Sequence, residues 1–122
     1  MNENAPAFPY FIPVDSRSLS DKERMILECI LEKEKLEDTY DKDKLKVVGR
    51  CGCGECPTVF FQVYMQSDKE KEVASYSGKD TSGGIVGVVL SEKNGILSQL
   101  EFYSADGHEP WTIPEAKTLE PI

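Results

Sequence analysis

The chain is short of histidine and tryptophan. It has one histidine, His108, and one tryptophan, Trp111. Any imidazole catalysis must therefore use His108, which lies in the turn-like stretch Asp106-Gly107-His108-Glu109. Ser104 and Asp106 are close in sequence, but a triad is defined by geometry, so a surface turn histidine is the expectation. No apolar run approaches the ~20 residues of a membrane helix. The first basic residue is Arg17, and Pro6, Pro9 and Pro13 interrupt the apolar stretch before it, so no secretory leader is expected. The expected setting is the cytoplasm, with reduced thiols. A basic excess is lacking too, with 14 Lys and Arg against 22 Asp and Glu and a net charge of −8. Nucleic-acid binding normally begins from a basic patch, so no such partner is expected. Gly78-Lys79-Asp80-Thr81-Ser82-Gly83-Gly84 has the composition of a phosphate loop but not the order GxxxxGK[ST]. No helix is expected after it to receive an anion. No two carboxylates stand out for acid–base work.

What is present suffices for one domain spanning residues 1–122. A chain of 122 residues, 39% hydrophobic and 30% charged, can bury one core without disulfides or metal. Residues 1–17 are polar and proline-rich around Phe8, Tyr10, Phe11 and Ile12, which reads as an extended arm laid on the domain. Ser20-Asp21-Lys22-Glu23 is a capping box. The helix it opens runs to about Leu36, with Ile26, Cys29 and Ile30 on its apolar face and Cys29 an ordinary buried thiol. Asp38–Lys44 is a charged connector. The period then alternates, with strands expected over Leu45–Arg50, Thr58–Gln66 and, more weakly, Glu72–Ser77 after a turn at Ser67–Lys71. Asn94-Gly95 between Gly84–Ser91 and Ile96–Ser104 is a type I′ hairpin signal. On the second strand Ile96, Ser98, Leu100 and Phe102 should share the core face, leaving Leu97, Gln99, Glu101 and Tyr103 outside. Residues 105–122 form a proline-rich segment suited to a sheet edge. The fold class is α+β: one N-terminal helix packed on an antiparallel meander of about four or five strands.

Cys51-Gly52-Cys53-Gly54-Glu55-Cys56-Pro57 is the most distinctive stretch. Glycines let a chain curl until neighbouring thiolates converge on one ion. Structural zinc takes four ligands at ~2.3 Å from sulfur, and three are local here, so Cys29 or His108 would have to complete the set. The expectation is reduced thiols with no cofactor; zinc on Cys51, Cys53 and Cys56 is the alternative. Cys53 and Cys56 have Cys-x-x-Cys spacing but precede a strand. The helix N-terminus that would depress a thiol pKa is therefore not expected.

The turn at residues 51–57, together with Gly95-Ile96-Leu97 leading to Leu100-Glu101, resembles a group of small uncharacterised bacterial proteins. These carry a Cys-x-Cys-Gly-Cys-Pro-like turn and a Gly-x-Leu-x-x-Leu-Glu final strand. Glu55 is an insertion relative to that turn. In size, charge and layout the chain is also similar to the small acidic immunity proteins that neutralise bacterial toxins, a likeness that carries no site residue across. It implies a non-enzymatic binding protein that occludes a basic protein partner.

Charge placement locates the expected interface. Residues 94–122 hold Glu101, Asp106, Glu109, Glu115 and Glu120 against Lys117 alone, half of the net charge. Glu101 and Tyr103 on the outer strand face, Asp106 and Glu109 beyond it and Trp111 as an apolar anchor make up the candidate partner surface. A small-ligand domain without catalysis is the third possibility.

Overall fold

The computed structural model describes residues 11–64 and 69–122. The first helix turn shows how closely local chemistry directs this chain. The Ser20 hydroxyl accepts from the Glu23 amide, the Glu23 carboxylate accepts from the Ser20 amide, and Arg17 grips both oxygens of that carboxylate at 2.9 Å. From this cap α1 (Asp21–Lys33) runs 13 residues and buries Ile26, Leu27, Ile30 and Leu31. At roughly 1.5–3 kcal/mol per large apolar side chain, that stripe fixes the helix to the sheet. The helix stops before Leu36 because Lys35 turns left-handed, at φ 58°. Cys29 is half-buried against the core, its thiol directed at the Ala116 carbonyl.

Among the described residues the sheet has seven antiparallel strands rather than four or five. They are β1 (Phe11–Arg17), β2 (Val47–Cys51), β3 (Val59–Phe60), β4 (Lys71–Lys79), β5 (Ile85–Lys93), β6 (Ile96–Ser104) and β7 (Glu120–Pro121), in spatial order β1-β2-β3-β6-β5-β4-β7. It is not a simple meander, since β3 joins β6 instead of β4. The two strands beyond the five expected come from the extended arm and from the tail expected at a sheet edge. Residues 11–17 of the arm pair with β2, and the tail supplies β7 against β4. Residues 1–10, with Phe8 and Tyr10, lie outside the described residues. Because β1 comes first, the helix is not N-terminal to the sheet. The expected strand Thr58–Gln66 shrinks to two residues. Beyond Phe60 the Gln62 side chain turns to donate to the carbonyls of Lys93, Ile96 and Leu97, and Val63 is exposed. Residues 65–68 lie outside the described residues, including most of that strand's end and part of the Ser67–Lys71 turn.

The hairpin turns at Asn94-Gly95, both with positive φ, at 57° and 79°. Its expected facing is half right. Ser91 pairs with Gln99 and Glu92 with Leu97, so Ser98 is an extra residue, a β-bulge. The bulge reverses the alternation: Leu97 joins Leu100 and Phe102 in the core, while Ile96 is 58% exposed. Ser98 itself is buried, its hydroxyl without a hydrogen-bond partner among the described residues. On the far face Phe60 is fully buried, edge-on to Phe11 at 5.1 Å.

Leu100 is wholly buried where β6 meets β5 and β3. Leu100→Ala should lower unfolding free energy by about 2–5 kcal/mol in a denaturant titration with unchanged slope.

Candidate metal centre

Cys51 ends β2, opposite Phe11, and the chain must return antiparallel as β3. The intervening loop curls tightly, with Gly54 at φ 76° and its amide on the Cys51 carbonyl. That curl turns amides onto sulfur. The Cys53 amide donates to the Cys51 Sγ, and the amides of Glu55 and Cys56 donate to the Cys53 Sγ at 3.4 and 3.3 Å. The sulfurs of Cys53 and Cys56 stand 3.2 Å apart, and all three lie within 4.8 Å of one another. Thiolates sharing a tetrahedral ion at ~2.3 Å would stand about 3.8 Å apart, so small side-chain rotations seat one. Among the described residues no other group of three Cys, His, Asp or Glu ligand atoms comes this close.

As expected, no helix opens at this loop and the chain runs on to β3, but the turn amides supply donors to sulfur in its place. Burial works to raise the Cys53 thiol, yet the amides of Cys56 and Glu55 and the neighbouring thiols bring it down to about 7. Two turn amides do what a helix N-terminus does elsewhere. Cys51 moves the other way, raised mainly by burial, with the neighbouring thiols adding to the shift. One negative charge is thus favoured on the cluster and a second opposed, the pattern of like-charged groups in one site. A cation among the sulfurs would remove that opposition.

Neither remote ligand considered in the sequence completes the set. The Cys29 thiol is directed at Ala116. Both ring nitrogens of His108 face carboxylates: Nε2 meets Asp80 Oδ2 at 2.9 Å, and Nδ1 meets Asp106. The Ser104 hydroxyl lies 3.3 Å from the same Nδ1, but the closer Asp106 carboxylate takes that position. When His108 is protonated both nitrogens donate, and it then has no lone pair to act as a base toward Ser104.

Asp80 is the residue sequence reasoning missed. It sits in the stretch dismissed as a phosphate loop, which forms the β4–β5 turn. Its buried carboxylate accepts from the amides of Ser82, Gly84 and Thr112, the Ser82 hydroxyl and His108. An Asp opening a Thr-Ser-Gly-Gly run is an Asx-turn signal and would have marked it. His108 holds Asp80 well below the ordinary carboxylate range, helped by Ser82. Asp80 in turn raises His108, against the opposing effect of burial, and Asp106 adds to it. Gly84 makes room for the ring: a Cβ there would lie 1.9 Å from His108 Nε2.

The expected partner residues stand in different settings. Glu101 is half-buried on the outer sheet face, raised by burial and by the charges of Glu70 and Glu72. Tyr103, 38% exposed, lies over Gly87 on that face. Asp106 is committed to His108 and to the Ile85 amide. Glu109 is exposed, and Trp111 packs partly against the core. Glu109, Pro110 and Trp111 line a cleft with Glu55 of the cysteine loop.

The His108 contacts carry a pH signature. A raised histidine pKa stabilises the fold fully below the ordinary value of ~6.5 and loses its contribution as pH rises through the folded value. The lowered carboxylates contribute above ~3.9 and lose it as pH falls. The clasp is therefore strongest between about pH 4 and 6.5. His108→Asn should lower Tm at pH 6 and shrink the difference from wild type at pH 9, with Trp111 fluorescence following the same transition.

No protein-family model, curated protein or solved structure matches this chain, so the reading of the site rests on its own geometry.

Proposed function

We propose that this protein binds a thiophilic metal ion, zinc first, through Cys51, Cys53 and Cys56. The observation that carries the reading is the convergence of three sulfurs in a loop whose own amides point at two of them. Ordering a loop is a large part of what metal binding has to achieve, and here the fold supplies it. Three protein ligands leave a fourth position for water or an incoming group, as in zinc sites that exchange ligands. Glu55 and Glu109 beside the loop favour cations over anions. Protein purified in reductant without chelator should carry one equivalent of zinc. Cys53→Ser should lose it, and cobalt substitution should give thiolate charge-transfer bands. A metal-free protein that takes up neither ion would overturn the reading.

A second reading, occlusion of a basic protein partner in the manner of a toxin-immunity protein, is favoured by the outer sheet face. Glu72 and Glu101 share that face, and their mutual repulsion would be relieved by a basic surface. Because Asp106 is engaged, the residues to neutralise are Glu72, Glu101 and Glu109. Glu→Gln at these positions should slow association with a partner and flatten its salt dependence, leaving dissociation little changed. An unchanged association rate excludes this face.

A further inference from the structure

We infer that Cys53 and Cys56 form a reversible disulfide that governs release of the bound metal, a step that rests on the metal-binding reading above. Their sulfurs, 3.2 Å apart, are closer than two unbonded sulfurs ordinarily pack, and a bond of about 2.05 Å requires only that each side chain rotate slightly inward. The two residues flank Gly54 and Glu55 in a loop already closed on itself, so little ordering remains to oppose the bond. Both are partly exposed and open to a small oxidant. Cys51 is tied through its sulfur to the Cys53 amide and ends a paired strand, which leaves it the bystander.

The oxidant is a low-molecular-weight disulfide of the glutathione class. The Cys53 sulfur, whose developing charge two amides stabilise, attacks one sulfur of the oxidant. The oxidant's S–S bond breaks, one thiolate leaves, and a mixed disulfide forms on Cys53. Cys56 then attacks the Cys53 sulfur and expels the second thiolate. Two protein sulfurs have given up two electrons, and the oxidant has become two thiols, which take their protons from solvent or from Cys53 and Cys56. Cys51 is left as the lone thiolate of the site. One sulfur does not hold zinc where three did, so the ion departs as the free cation. Reduction by a dithiol reverses each step and restores the site.

The experiment uses the full chain, loaded with zinc and freed of reductant, and adds oxidised glutathione. Zinc release is read with a chromophoric chelator and sulfur bonding by mass. Trypsin cutting after Arg50 and Lys69 leaves Cys51, Cys53 and Cys56 on one peptide, with Cys29 on another. Wild type and Cys51→Ser should each yield that peptide lighter by two hydrogens. Wild type should release one zinc per disulfide and recover it after dithiothreitol. Cys56→Ser should stop at a glutathione adduct on Cys53. A wild type that keeps its thiols reduced, or a disulfide that survives in Cys56→Ser, overturns the inference. Zinc held firmly through oxidant treatment overturns the inference and leaves the metal reading standing. A protein that carries no zinc yet forms the disulfide removes the metal reading and keeps the thiol pair.

Discussion

A buried carboxylate without partners is strongly destabilising, and Asp80 answers that constraint by collecting donors from two separate stretches of chain. Ser82 and Gly84 close the β4–β5 turn around one oxygen. His108 and the Thr112 amide bring the segment after β6 to the other. From there the chain passes along the domain, where Thr118 binds the Lys79 backbone and Leu119 is buried. The course of residues 105–119 thus depends on one charge that must not be left alone. That course places Glu109 and Trp111 on the cleft they share with Glu55. The surroundings of the cysteine loop are therefore set partly by an ion pair in another part of the fold.

The loop itself obeys a related rule at smaller scale. Backbone amides that lose water at a tight turn need acceptors, and sulfur is the acceptor that Cys51 and Cys53 provide. The same contacts lower the energy of a thiolate. Satisfying the backbone and preparing a nucleophile or ligand are one event here, and Gly54 permits both by taking the left-handed conformation. Asp80 and Cys53 share a logic: an anion held by donors fixed in advance, so that no reorganisation is needed when the charge appears.

Legibility in the sequence followed the strength of local signals. The capping box, the Asn94-Gly95 turn and the cysteine cluster are each written in a few adjacent residues, and each appears where those residues place it. Strands of two residues, β3 and β7, are too short to produce a period and exist only because a neighbour pairs with them. The bulge at Ser98 also escapes notice, because alternation counts residues and one extra residue exchanges the faces of Ile96 and Leu97. The Asp80–His108 contact joins positions 28 residues apart, and only the Asx-turn signal at Asp80 hinted at it. At the thiol site the sequence displayed the ligands, whereas the amide contacts depend on backbone angles that composition does not encode.

The two edges of the sheet have a consequence for how this molecule meets others. An open strand edge is a template on which a second chain can continue the ladder, and long flat edges invite aggregation. Here one edge is β1, which carries Pro13 and loses register before Arg17. The other is β7, two residues long and ending in Pro121. Proline offers no amide to an incoming strand, so Pro13 and Pro121 each interrupt an edge on which a ladder could otherwise continue. Away from its edges the sheet presents its outer face, with Glu101, and its loops, where the sulfurs of Cys51, Cys53 and Cys56 lie.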